Sequence, residues 1–227
     1  MKDTSVLFNG AGNINVSGAI YNSTGSGSLS KQGAGTLTLS AANTHTGATT
    51  VSAGTLQVSG SISGSSNVVV NTGGTLLFGG TSGTDRINNS APVNLNGGTL
   101  LTAGFSETAG ILSLSGSSTA SVIDLGAGAS VLQFAASNGG PGWGSNTLAV
   151  WNWTGNIAGG GTDQVFFGTT TNTGLTSGQL ANVSFLIGGV TYGATLLNTG
   201  ELVPVPEPTA LLTAGAALAA ALRRRRR

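Results

Sequence analysis

One short pattern recurs along the chain and restricts its fold more than any other feature. Gly-Thr-Leu-x-apolar occurs as Gly35-Thr36-Leu37-Thr38-Leu39, as Gly54-Thr55-Leu56-Gln57-Val58 and as Gly74-Thr75-Leu76-Leu77-Phe78. A fourth copy, Gly98-Thr99-Leu100-Leu101, has Thr102 in the last place, and successive copies lie 19, 20 and 24 residues apart. Looser echoes follow at Gly110-Ile111-Leu112-Ser113-Leu114 and Ser130-Val131-Leu132-Gln133-Phe134. Between them lie Asn13-Ile14-Asn15-Val16, Asn67-Val68-Val69-Val70 and Pro92-Val93-Asn94-Leu95. Each run is short, alternates apolar with polar residues and is bounded by Gly, Asn or Ser, the signature of strands joined by tight turns. No sustained 3.6-residue apolar period appears before residue 200, so almost no helix is expected in the body.

Short strands alone would also suit an antiparallel sandwich. Self-similarity decides between the two. A coil of about 20 residues that repeats one motif is what a parallel β-helix requires. Equivalent strands of successive coils then pair about 4.8 Å apart, and their inward residues stack into one continuous core. Gly at the corners supplies the φ > 0 conformations of tight bends, and Asn in stacked turns forms side-chain ladders.

Composition fits this architecture. Charged residues are 7% of the 227, against roughly 25% in an ordinary soluble domain. In a solenoid a charged residue stacks on its counterpart in the next coil, where like charges repel; Thr, Ser and Asn stack with hydrogen bonds instead. Apolar residues at 39%, spread as Leu, Val and Ile, argue for a folded chain despite its 39 glycines. The net charge of +1 conceals an asymmetry, because five of the eight cations are Arg223, Arg224, Arg225, Arg226 and Arg227. The rest of the chain sets Lys2, Lys31 and Arg86 against seven acids, a balance of −4. No basic surface is available to displace counterions, so nucleic acid is excluded as a partner. Cysteine is absent, which removes disulfides and thiolate metal sites.

Residues 28–59 read SLSKQGAGTLTLSAANTHTGATTVSAGTLQVS. Leu29, Lys31, Gly33, Gly35, Thr36, Leu37, Leu39, Ser40, Asn43, Thr44, Thr46, Gly47, Thr49, Val51, Gly54, Thr55 and Leu56 carry a resemblance to the autotransporter-associated β-strand repeat. His45 stands where that repeat usually has Tyr. The resemblance weakens over the flanking coils to about residue 135. It implies a right-handed β-helix in large exported bacterial proteins, where such repeats serve as stalks or passengers and not as catalysts.

Residues 1–135 are therefore expected to form parallel β-helix repeats, with the best repeat at 28–59. Residues 136–202 change character, holding Trp143, Trp151, Trp153, Phe166, Phe167, Phe185 and Tyr192. A solenoid must cover its exposed last coil, and an aromatic-rich β cap is expected here. Residues 151–201 also resemble the closing module found upstream of the tail motif described next. One short helix is expected within residues 175–183, with Thr176 or Ser177 as its N-cap.

Residues 203–227 form a distinct tail. Its apolar stretch, residues 209–222, is 14 residues long. As a helix it would span about 21 Å, short of the roughly 30 Å hydrocarbon core. Pro204, Pro206 and Pro208 prevent its extension backwards. The order of Pro206-Glu207-Pro208, apolar helix and five arginines is similar to the PEP-CTERM sorting signal. That resemblance implies transient insertion in the inner membrane, processing near the triplet by an exosortase-type protease, and release to the cell surface or an exopolysaccharide matrix. Export requires a leader, and Met1-Lys2-Asp3-Thr4-Ser5 runs directly into a strand pattern. The chain is thus expected to begin downstream of its natural start.

Candidate sites are sparse, and no catalytic, cofactor or metal residues are assigned. His45 is the only histidine and reads as a stacked surface or turn residue. Asp85, Glu107, Asp124 and Asp163 are scattered singly and read as isolated solvated or turn carboxylates, not as an acid/base pair. Asp163 in Gly159-Gly160-Gly161-Thr162-Asp163-Gln164 only faintly resembles a calcium-binding nonapeptide. Trp151 and Trp153 lie two apart, which on a strand places them on one face. That arrangement suits carbohydrate stacking or, more commonly, core or cap packing. The expectation is a non-enzymatic exported structural or adhesive protein. The alternative is a β-helix polysaccharide-degrading enzyme or carbohydrate-binding module with part of its site upstream of this chain.

Overall fold

The computed structural model describes residues 5–80, 85–116 and 119–205. The first coil contains β1 (Val6–Phe8) and β2 (Ile14–Val16), the second β3 (Leu29–Lys31) and β4 (Thr36–Leu39). They are followed by β5 (Thr49–Val51) with β6 (Gly54–Val58), and β7 (Val68–Asn71) with β8 (Gly74–Phe78). The next two coils carry three strands each: β9 (Val93–Asn96), β10 (Thr99–Leu101) and β11 (Glu107–Ala109), then β12 (Leu112–Leu114), β13 (Ser121–Asp124) and β14 (Ser130–Phe134). The chain ends with β15 (Leu148–Trp151), β16 (Asp163–Phe167), the helix α1 (Ser177–Leu180), β17 (Val183–Ile187), β18 (Val190–Leu196) and β19 (Glu201–Val205). The result is an all-β parallel solenoid of roughly six coils.

The first face is a parallel sheet in the order β1-β3-β5-β7-β9-β12. The second runs β2-β4-β6-β8-β10-β13-β15-β17. The recurring Gly-Thr-Leu triplets stack on themselves. Thr36, Thr55, Thr75 and Thr99 stand in one column, and Leu37, Leu56, Leu76 and Leu100 in the next. The leucine column continues through Ile123, Val150 and Phe185, and all seven side chains are fully buried. Burial contributes roughly 1.5–3 kcal/mol for each such residue, so the repeat is the core of the rod written out in sequence.

A third side is irregular at first, with Ile62 bridged to Ile87. It becomes a proper sheet from β11 through β14 to β16. Parallel pairing thus runs on beyond residue 135, through β15 and β16. The order then reverses: β17 pairs antiparallel with β18, β18 with β19, and β19 with β16. Aromatic rings fill this end. Phe134 and Phe167 stack at 5.3 Å, Trp143 meets Phe167 edge-on at 6.4 Å, and Trp153 meets Phe185 edge-on at 5.5 Å.

Between coils, polar side chains hydrogen-bond in columns. Asn96 Nδ2 donates to Asn71 Oδ1 at 3.1 Å, and Asn71 Nδ2 donates to Ser52 Oγ at 3.3 Å. Glycine at the corners reflects close approach as well as conformation: a Cβ on Gly35 would run into the carbonyl of Gly12. Among the described residues α1 is the one helix. Thr176 Oγ1 accepts the Gln179 N–H at 3.1 Å while Gln179 Oε1 accepts the Thr176 N–H at 2.8 Å, a complete capping box. No helix among the described residues is long and apolar enough to cross a membrane. The tail helix expected at residues 209–222 lies outside the described residues.

Candidate functional site

His45 lies in a corner after β4, not on the surface: it is buried. Its Nε2 is 2.9 Å from Thr49 Oγ1, which is 2.8 Å from Ser65 Oγ. Ser65 in turn donates to the carbonyl oxygens of Gly47 and Asn67, both at 3.1 Å. Burial lowers the His45 pKa, favouring the neutral ring. Of the two expected placements, surface or turn, His45 takes the turn, with its imidazole buried against the equally buried Thr49.

The carboxylates correct the reading of isolated solvated or turn groups. Two of the four, Glu107 and Asp163, are buried acceptors that tie one coil to another, and Glu201, which that reading did not cover, is a third. Glu107 accepts the Arg86 N–H at 2.9 Å and the Ile87 N–H at 3.3 Å. Asp163 is fully buried and accepts the N–H of Ser130 at 3.1 Å and of Thr154 at 2.9 Å. Glu201 accepts the Gly160 N–H at 2.8 Å. The physical reason is backbone demand: where coils change path, N–H groups lose their ladder partners and need an acceptor. Asp124 is less buried and accepts from Gly126 N–H at 2.9 Å and Asn152 Nδ2 at 2.6 Å. Asp85 is exposed, as expected.

Burial pushes the Glu107 pKa up to about 7, against the pull of the Arg86 and Ile87 N–H groups; Asp85 raises it further and the Arg86 charge lowers it. A carboxyl with that pKa suits a general acid, but Glu107 is 4% exposed and its oxygens face backbone. Arg86 is buried beside it, donating from Nε to the Gly79 carbonyl at 2.8 Å and lying 4.2 Å from the Phe105 ring centroid. Lys31 is buried too, with Nζ donating to the carbonyls of Gln32, Gly33 and Ala53 at 3.0, 2.7 and 3.1 Å. Burial lowers its pKa.

Trp151 and Trp153 do not share a face. Trp151 ends β15 and is 38% exposed, whereas Trp153 is 7% exposed and packs on Phe185. Asn152 between them has φ +57°, so the chain turns there and the strand alternation stops. A two-indole platform is therefore not formed.

Sequence reasoning missed an open groove of about 430 Å³ on the third side. Thr108 and Gln133, paired in register on β11 and β14, form one wall with Asn89, while Thr169, Thr170 and Thr171 form the other. Ala109, Phe134, Ala135, Ala136 and Gly168 complete the lining. The groove offers amides and hydroxyls and no ionisable group. The signal in sequence was the Thr169-Thr170-Thr171 run, but its partners lie 33 or more residues away. Among the described residues no cluster of three or more His, Asp or Glu side chains is placed to hold a metal ion. Pro206, Glu207, Pro208 and the arginines from Arg223 to Arg227 lie outside the described residues.

Comparison with known proteins adds one match. The family model of the passenger-associated-transport-repeat matches residues 29–58, the stretch from β3 to β6. No curated protein and no solved structure matches the chain. Two consecutive coils of this parallel solenoid are thus similar to a passenger-associated-transport-repeat.

Proposed function

We propose that this chain is a non-enzymatic structural or adhesive part of an exported bacterial surface or extracellular-matrix protein, sorted through a cleavable PEP-CTERM signal. The observation that carries the reading is the coincidence of the repeat match at residues 29–58 with consecutive coils of a rod. In this proposal residues 1–135 are the right-handed repeat rod, 136–202 its capping region and 203–227 the sorting signal. An exosortase-type protease acts near Pro206-Glu207-Pro208 after the tail has inserted transiently in the inner membrane. Arg223 to Arg227 hold the cytoplasmic side, as a positive-inside flank does. The neutral amides and hydroxyls of the Gln133–Thr170 groove are the chemistry that meets an uncharged stretch of exopolysaccharide.

The test is expression with a secretion leader in a bacterium that carries an exosortase, followed by intact-mass analysis of the released protein. Loss of the residues beyond the triplet is expected. Retention of the full tail in released protein, or release unchanged by replacing Pro206, Glu207 and Pro208 with Ala, would overturn the sorting assignment.

A further inference from the structure

Corner glycines in this solenoid are placed where the preceding coil would collide with a side chain. A Cβ on Gly33 would lie 2.5 Å from the Gly10 carbonyl oxygen, and one on Gly54 2.5 Å from those of Gly33 and Gly35. A Cβ on Gly35 would run into Gly12, and one on Gly60 into Ala41. Gly12 and Gly18 occupy the same columns one coil earlier. The register Ile14↔Leu37 sets Gly12 opposite Gly35, and Val16↔Leu39 sets Gly18 opposite Ala41. Yet a Cβ on Gly12 or Gly18 meets nothing within 4 Å, and neither has a φ that demands glycine.

Two further observations mark the same edge. Among the described residues β1 and β2 are each the last strand of their sheet, with one side of each unpaired. Ile14 is 37% exposed, and Val6, Phe8 and Val16 are only partly buried, whereas the inward residues beside them, Leu29, Leu37 and Leu39, are fully buried. The far end, by contrast, is closed by the antiparallel β18 and β19.

We propose that the β1–β2 edge is a docking face for one further parallel coil of the same repeat, seated in register with its backbone against Gly12; the Gly18 column holds Ala41 in the next coil and so does not itself require glycine. It continues the coil-to-coil interface already present between every later pair. A second copy meeting this edge head to head would run its coils in the opposite sense and pair antiparallel. Approaching head to tail, it would present the antiparallel β18 and β19. Only a parallel coil brings a corner against the Gly12 column. The inference is independent of export and of the tail.

The test adds that coil by fusing residues 28–47 directly ahead of Ser5 in place of residues 1–4, which keeps the strand register of the second and third coils. Hydrogen exchange at the amides of β1 and β2 is expected to slow by at least tenfold, and the melting temperature to rise. Gly12→Ala is expected to leave the melting temperature of the unfused chain unchanged and to cancel the gain in the fused one. An equal effect of Gly12→Ala in both contexts, or no protection on fusion, would overturn the proposal. So would sedimentation of the unfused chain as a dimer that the fusion abolishes, because the occupant is then a second copy.

Discussion

The carboxylate of Glu107 reaches back one coil to accept the backbone N–H of Arg86 at 2.9 Å. With Ile87 held by the other oxygen, a single side chain replaces two ladder hydrogen bonds where the third side of the rod is still irregular. Its pKa, pushed up to about 7 by burial, is well above the usual carboxylate value. Between about pH 4.5 and 7 the folded chain therefore binds this proton more readily than the unfolded chain. The contribution of Glu107 to stability is then fully present at low pH and falls as pH rises through that window. Glu107→Gln removes the titration, so its cost relative to the parent should be larger at pH 5 than at pH 8. Urea midpoints at the two pH values check this, and an equal cost at both contradicts it.

Asn43 binds three coils at once. Its Oδ1 accepts the Ile20 N–H at 2.9 Å, and its Nδ2 donates to the carbonyls of Ala41 at 2.8 Å and Ser61 at 2.9 Å, with the Asn43 side chain itself fully buried. Asn43→Leu leaves the Ile20 N–H without a partner, while the carbonyls of Ala41 and Ser61 keep the backbone N–H groups of Ser61 and Asn43. A buried orphan costs about 1–3 kcal/mol, so a loss of about that size is expected in chemical denaturation. Faster exchange of the Ile20 amide should accompany it.

Lys31 caps the carbonyls of Gln32, Gly33 and Ala53 from inside the wall. Lys31→Met keeps the length and the apolar stem but removes the donors. A loss of about 2 kcal/mol or more follows from the charge-assisted bonds. Because the ammonium is buried, adding salt should change the difference between parent and variant little. Denaturation in low and high salt reads both effects.

The two tryptophans should respond very differently. Trp153→Ala empties a site packed on Phe185 and should cost about 3–5 kcal/mol. Trp151→Ala, at an exposed strand end, should change stability by less than about 0.5 kcal/mol. Equal losses in thermal unfolding would contradict the split geometry around Asn152.

The rod was legible in the sequence because stacking maps identical triplets onto identical places: Leu37, Leu56, Leu76 and Leu100 form one buried column. The short helix and its N-cap were legible too, with Thr176 the one of the two candidates that caps, since helix caps are encoded within four residues. The carboxylates were not. Asp163 is buried by Ser130, which lies 33 residues earlier, and no local pattern announces that contact. The shared face expected of Trp151 and Trp153 is lost at a positive φ at Asn152, a residue type that tolerates the left-handed region without requiring it, while the alternative of core or cap packing holds for Trp153. The groove escaped notice because its walls come from separate coils.

The column register has a consequence for how such a rod changes size. Adding or losing one residue within a strand would turn the inward residues that follow it in that strand out of their columns, whereas a whole coil slots in without disturbing any other. Length is consequently a counted quantity, altered in single steps of about 4.8 Å. The spacings of 19, 20 and 24 residues between triplets show where the slack goes, since extra residues are absorbed in a corner while the strand pairing stays in phase.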